Sequence, residues 1–212
     1  MLSYEKELWN AGCLRVAGVD EAGRGPLAGP VSAAAVVFSR DAVESGLIAF
    51  LDEINDSKTI VESKREEIFR QISDCEWIEF GVAMVPAARI DEINILNATR
   101  EAMMAALDGL SPVAEHALID GKPLKDLHPS PVFIVKGDSR SLSIAAASIV
   151  AKVTRDRIMY EVDREYPQYG FARNKGYGTR EHLEAIRRHG PCPAHRRTFS
   201  PVSHMITPGL GL

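Results

Sequence analysis

Apolar positions recur along this chain in two rhythms, one of short runs and one of three- and four-residue spacings. Short apolar runs at 15–20 (RVAGVD) and 30–38 (PVSAAAVVF) predict two strands. The stretch between them, EAGRGPLAG, is too rich in glycine and proline for a helix and fits a tight turn. WIEFGVAMV at 77–85 predicts a third strand, and the three suit an antiparallel meander with a helix inserted before the last. That helix, 62–73, spaces Ile68 and Ile72 four apart among charged neighbours. A second helical pattern covers 89–110, with Gly109 and Pro112 as stop signals. Two more apolar runs follow, HALID at 116–120 and PVFIV at 131–135, joined by a loop containing Pro123 and Pro129. The segment 143–166 opens on a serine cap, and its alanine-rich first half suits close packing on a sheet. A last helix is predicted over 179–190, capped by Thr179 and stopped by Gly190. Three strands with helices, then two strands and more helices, read as a mixed sheet of α/β type. No repeat or low-complexity linker divides the chain, so residues 1–212 are expected to form one domain.

Composition narrows the class. At 212 residues, 45% hydrophobic and 25% charged, the chain resembles an ordinary globular protein large enough for one good core. No apolar run approaches the ~20 residues of a membrane span. The charged N-terminal stretch MLSYEKELWNAG lacks the apolar segment of a signal peptide. Cys13, Cys75 and Cys192 are an odd number without a C-x-x-C pair, which encodes neither a disulfide framework nor a zinc knuckle. A cytoplasmic, reduced protein is expected.

Charge changes the picture. The net charge of −4 argues against a nucleic-acid partner, but it is unevenly spread. Residues 1–106 carry 10 basic and 18 acidic side chains; residues 107–212 carry 15 and 11. Between Arg173 and Arg197 stand seven basic residues, three histidines and two acids. Residues from about 167 onward are therefore expected to form a basic, helical C-terminal part. It is either a phosphate-binding face or solvated surface, since charges act over a Debye length of ~8–10 Å.

Candidate chemistry gathers at predicted strand ends. Asp20 and Glu21 stand side by side where the first strand enters its turn, offering the hard oxygen ligands that Mg²⁺ or Mn²⁺ prefers. Asp120 ends HALID in the same way, and Asp138 lies just past the fifth run. In open α/β sheets such ends are where sites form. Taken alone, the four acids also fit unrelated turn residues. Gly23, Arg24 and Gly25 follow the acid pair; paired glycines permit close backbone approach, and the arginine offers a planar fork for phosphate. Lys58 and Lys152 are candidate phosphate contacts or plain surface lysines. Tyr177, between two glycines before a basic helix, is either a turn residue or a ring exposed for stacking on nucleic acid. His182 and His189 read as surface residues of one helical face, and no H-E-x-x-H, P-loop or G-x-S-x-G motif is present.

The blocks VAGVDEAGRGPLAGPVSAAAVV (16–37), DSK (56–58), RIDEINIL (89–96), LIDG (118–121), KGDSRSLSIAAASIVAKVTRDR (136–157), YPQYGFARNKGYGTREH (166–182) and GPCPAHRRTF (190–199) together resemble bacterial ribonuclease HII. The resemblance spans about 14–202. It implies a ribonuclease H-like fold with a five-stranded mixed sheet flanked by helices and a helical C-terminal part. It also implies that Asp20, Glu21, Asp120 and Asp138 are the catalytic carboxylates, holding Mg²⁺ or Mn²⁺ in a two-metal site. By the same resemblance Gly23, Arg24 and Gly25 read the ribose, and Tyr177 stacks on the neighbouring sugar. The implied substrates are RNA–DNA hybrids and duplex DNA with embedded ribonucleotides, cut on the 5′ side to leave 3′-OH and 5′-phosphate ends; the protein is expected to be a monomer. Two other readings are a resolvase- or integrase-type nuclease of the same fold and a non-catalytic hybrid-binding module.

Overall fold

A computed structural model describes residues 1–54 and 61–206. The chain opens with α1 (Ser3–Asn10), then β1 (Val16–Ala22) and β2 (Val31–Phe38), α2 (Arg40–Glu44) and α3 (Glu62–Asp74). Next come β3 (Ile78–Val85), α4 (Ala87–Asp108), β4 (His116–Asp120), β5 (Pro131–Ile134) and α5 (Leu142–Glu165). Three helices close the described chain: α6 (Phe171–Asn174), α7 (Arg180–His189) and α8 (Val202–Ile206). The sheet order is β3-β2-β1-β4-β5. β1, β2 and β3 form the expected antiparallel meander, while β4 pairs parallel with both β1 and β5.

β2 shows why the sheet is covered on both faces. All eight of its residues are buried, so its apolar run is continuous and does not alternate with polar positions. Because successive side chains point to opposite faces, Val31, Ala33, Ala35 and Val37 meet Ala98, Ala102, Met103 and Ala106 of α4. Ala34, Val36 and Phe38 share the other core with Ile68 and Ile72 of α3 and the Ala145–Ala151 stretch of α5. A smaller third core joins Leu27 and Ala28, from the turn after β1, to Met159, Phe171, Ile186 and Val202. The segment beyond α5 is thereby packed on the turn that follows the acid pair.

Two expectations need correction. β1 does not end at Asp20 but runs to Ala22, so the acid pair lies within the strand. The second long helix is not continuous: Asn94 breaks α4 with φ 68° and ψ 164°, and its Oδ1 accepts from the N–H groups of Leu96 and Asn97, recapping the next turn. α1, α2, α6 and α8 were not predicted.

α5 lies directly on β1. A Cβ built on Gly18 would stand 2.0 Å from the carbonyl carbon of Ser143, so the two backbones touch where a side chain would fit in most sheets. Buried Glu5 of α1 secures the start of that helix: its Oε1 accepts from Ser141 Oγ at 2.6 Å, Ser143 N at 3.0 Å and Ser143 Oγ at 2.7 Å. A carboxylate at a helix N-terminus also faces the positive end of the helix dipole. Gly18→Ala is expected to force backbone from backbone, at ~3 kcal/mol or more. For a chain of this size that is a fall in Tm of ~6–12 °C. Calorimetry checks it, and an unchanged Tm would show that α5 can ride further from β1 at no cost.

Candidate active site

The site begins where the central strands part. Pairing of β1 with β4 ends at Val19 opposite Ile119, while β4 continues one residue further against β5. Asp20 and Asp120 are each the next residue after that last rung, on neighbouring parallel strands. Asp20 Oδ1 accepts from the Glu21 N–H at 2.7 Å, and Asp120 Oδ1 accepts from the Gly137 N–H at 2.6 Å. Glu21 Oε1 takes Arg24 Nη1 at 3.0 Å. Each of the three acids thus has one oxygen held by the protein.

These carboxylates repel one another in a poorly solvated place. Burial, then the charges of Glu21 and Asp120, push the Asp20 carboxyl well above the usual carboxylate range. Burial also raises Glu21, against the pull of Arg24. Among the described residues no three acid, histidine or cysteine side chains converge tightly enough to cage an ion. Hard oxygens crowded together, with burial raising the carboxyls of Asp20 and Glu21, are a donor set that fits Mg²⁺ or Mn²⁺.

Asp20, Glu21 and Asp120 line one cleft of about 500 Å³ together with Gly23, Arg24, Gly25, Arg65, Ser148, Lys152, Arg155 and Tyr177. Asp138 does not line that cleft. It is buried in the short turn Gly137–Ser139, whose first N–H holds Asp120. Lys152 stands over the cleft paired to Asp156 Oδ1 at 2.6 Å, and burial lowers its pKa. Asp56, Ser57 and Lys58 lie outside the described residues. A second hollow of about 700 Å³ adjoins the first; Glu21, Arg24 and Asp120 border both, and Arg100, Lys122 and Lys125 line its far side.

The glycine-rich turn is held from behind by two buried arginines. Arg196 donates to the carbonyls of Gly29, Arg24 and Gly23, and Arg155 to those of Pro30, Ala28 and Lys175. In a trans peptide the C=O and N–H point opposite ways. Anchoring the Gly23 and Arg24 carbonyls on Arg196 therefore turns the N–H groups of Arg24 and Gly25 away from it. Gly23 has φ +90° and no room for a Cβ, which would fall 2.0 Å from Arg155 Nε. Burial and the neighbouring Arg155 push Arg196 down to about 9. Tyr177 is 48% exposed, and a Cβ on Gly25 would lie 3.8 Å from its ring.

Sequence reasoning missed the roles of both arginines. Arg196 and Lys175, counted in the basic run, are buried and belong to neither a solvated face nor a duplex face, whereas Arg187 and Arg188 are exposed. His182, expected at the surface, is fully buried; His189 is exposed as predicted. A buried arginine satisfied by carbonyls leaves no local signature, because its partners are backbone atoms of any residue type.

The five-stranded mixed sheet, with acids where its central strands part, defines a ribonuclease H-like protein. The family model for ribonuclease HII matches residues 17–202, and the chain belongs to that family. It is 53% identical over 209 residues to a ribonuclease HII of Geobacillus kaustophilus, covering 97% of this chain and 76% of that one. It is 52% identical over 200 residues to one from Acetivibrio thermocellus, covering 94% and 75%. The fold superposes on the ribonuclease H2 of Pyrococcus horikoshii with a TM-score of 0.75 at 26% identity, over 90% of this chain and 96% of that one. A ribonuclease HIII solved with Mn²⁺ aligns at a TM-score of 0.68 and 19% identity, covering 92% and 70%, a likeness of fold.

Asp20→Asn is expected to hold or raise stability in the absence of divalent metal. A raised folded pKa means that the folded state keeps a proton that the unfolded chain has lost. The resulting penalty grows as pH rises through the ordinary carboxylate range and is complete above the folded value. Asparagine removes it. The parent's Tm is expected to rise with added Mg²⁺, and the variant's to respond less. A variant destabilised at pH 7, with an undiminished Mg²⁺ response, would remove Asp20 from the ligand set.

Proposed function

We propose that this chain is a divalent-metal-dependent endonuclease. It hydrolyses the RNA strand of RNA–DNA hybrids and nicks duplex DNA on the 5′ side of embedded ribonucleotides, leaving 3′-OH and 5′-phosphate ends. The observation that carries the reading is that Asp20, Glu21 and Asp120 line one cleft with Gly23, Arg24 and Gly25 of the glycine-rich turn. Asp20, Glu21, Asp120 and Asp138 are the proposed ligands of Mg²⁺ or Mn²⁺. When bound there, such ions supply Lewis-acid stabilisation of the phosphate and a more acidic water.

The chain's own residues do the remainder. The Arg24 and Gly25 N–H groups present donors that suit the 2′-OH, the group that separates RNA from DNA. Because that hydroxyl is read and does not attack, the product carries a 5′-phosphate and no cyclic end. Arg24 stands 3.0 Å from Glu21 with its side chain half exposed, within reach of a backbone phosphate. Lys152 and Arg65 place positive charge along the same wall. The ring of Tyr177 offers a flat face beside Gly25 for the sugar next to the ribonucleotide. A monomer in the cytoplasm is the proposed working state; no described helix is long and apolar enough to cross a membrane.

The defining experiment is cleavage of duplexes carrying zero, one and four ribonucleotides, with product ends mapped. Cutting of the all-DNA duplex at junctions would favour a resolvase-type activity, and binding without cleavage a hybrid-binding module. Asp120→Asn is expected to abolish cleavage at saturating Mg²⁺; near-normal turnover would remove that residue from the ligand set.

Tyr177→Ala is expected to lose up to ~1–3 kcal/mol of transition-state binding, the range for aromatic stacking on bases. Tyr177→Phe keeps most of it. The loss should be largest on a single embedded ribonucleotide, where few other ribose contacts compensate. Equal losses on both substrates with a lowered Tm would reduce Tyr177 to a structural turn residue.

A further inference from the structure

Behind Tyr177 lies a buried chain of polar atoms that the proposed chemistry does not use. His182 Nδ1 is 2.8 Å from the Tyr177 carbonyl oxygen, and His182 Nε2 is 3.0 Å from His195 Nε2. His195 Nδ1 in turn stands 3.0 Å from the Cys192 N and 3.2 Å from its Sγ. Both rings are buried: Phe171 lies 5.3 Å from His182 and 5.5 Å from His195, and Tyr169 lies 4.8 Å from His195, centroid to centroid.

The ends of this chain determine every proton in it. A carbonyl only accepts, so His182 Nδ1 carries a hydrogen. A backbone N–H only donates, so His195 Nδ1 carries none. With each ring neutral, His182 Nε2 is bare and His195 Nε2 is protonated, and the link between them is one N–H donor facing one acceptor. Every contact is then satisfied, with opposite tautomers in the two rings. An added proton has to sit donor against donor at one of the links. Burial accordingly lowers both histidines, His195 to about 4.

The relay connects two parts of the cleft. At one end, the Tyr177 carbonyl also accepts from Thr179 N at 2.8 Å, fixing the turn that aims the ring. At the other, His195 pairs through its backbone with Ala28, and Arg196 N donates to the Leu27 carbonyl, in the turn that carries Gly23–Gly25. We infer that His182 is a positioning residue whose Nδ1–H holds Tyr177 in place relative to the ribose-reading turn, and that His195, neutral and in the opposite tautomer, keeps that hydrogen on the Tyr177 side. This rests on the reading of Tyr177 as a substrate contact.

Two measurements test it. Long-range ¹H–¹⁵N correlation on histidine-labelled protein at pH 7 should show His182 protonated at Nδ1 and His195 at Nε2. The same tautomer in both, or a charged ring in either, overturns the relay. The second is kinetic, on a duplex with one ribonucleotide. His182→Asn keeps a donor where Nδ1 stood; His182→Gln keeps one only at the Nε2 position. The Asn variant is expected within about twofold of the parent, and the Gln variant to raise KM at least fivefold with kcat within twofold. In a Tyr177→Ala background the Gln substitution should add no loss beyond twofold, since residues that act through one another are not additive. An equal loss in both backgrounds, or equal losses for Asn and Gln, makes the histidines merely structural and overturns the proposal. If Tyr177→Ala alone costs nothing, it is the reading of Tyr177 that fails, and the tautomer spectrum still reports on the relay.

Discussion

The contact between α5 and β1 at Gly18 is the constraint on which the rest of the molecule depends. It presses a helix against a strand at backbone distance, which only a glycine opposite a run of small residues permits. Moving along α5 from that contact, the residues facing the strand's end are Ser148, Lys152 and Arg155, all in the cleft wall. Had the helix ridden higher, Arg155 would not reach the carbonyls of Ala28 and Pro30, and the glycine-rich turn would lose one of its two anchors. Glu5 secures the same helix from its other end, so a residue on the first helix helps to set the depth of the cleft.

That rigidity bears on electrostatics. Asp20 and Glu21, at the parting of β1 and β4, oppose folding, because burial, and for Asp20 the neighbouring like charges, disfavour their ionised forms. Fixed strands and backbone donors from Glu21 and Gly137 keep Asp20 and Asp120 from rotating into solvent. The scaffold therefore carries a local cost at the acids and offsets it with apolar burial on both faces of the sheet.

Much of this was legible in the chain. The meander, the two later strands and the long alanine-rich helix follow from apolar runs and their punctuation. The strand-end signal brought Asp20, Glu21 and Asp120 to notice, although Asp20 and Glu21 lie within β1 and what ends beside them is its pairing with β4. What escaped shares a physical cause: the partners are backbone atoms or lie far away in sequence. Arg196 reads as one more charge in a basic run until its guanidinium is seen spent on carbonyls 23, 24 and 29. His182 reads as a surface residue because its partners are a backbone carbonyl, that of Tyr177, and a ring thirteen positions away. Glu5 looks like an ordinary solvated acid, and its partners are more than 130 residues distant. The break at Asn94 is different, since asparagine is among the residues that tolerate positive φ and cap the next turn with their own side chain.

Net charge is the wrong scale for judging this protein's partner. Screening confines each exposed charge to ~8–10 Å, so a ligand in the cleft responds to the groups that line it. Those groups alternate in sign over short distances. Acids occupy the point where β1 and β4 part; Arg65 and Lys152 stand to one side, and Arg100, Lys122 and Lys125 to the other. Arg24 borders both hollows and is already partnered by Glu21. The second hollow also holds Asp126, whose Oδ2 pairs with Arg100 Nη1 at 3.2 Å, so carboxylates stand both where β1 and β4 part and on that flank. The acidic excess of residues 1–106 taken as a whole therefore does not set the charge that a ligand in either hollow would meet.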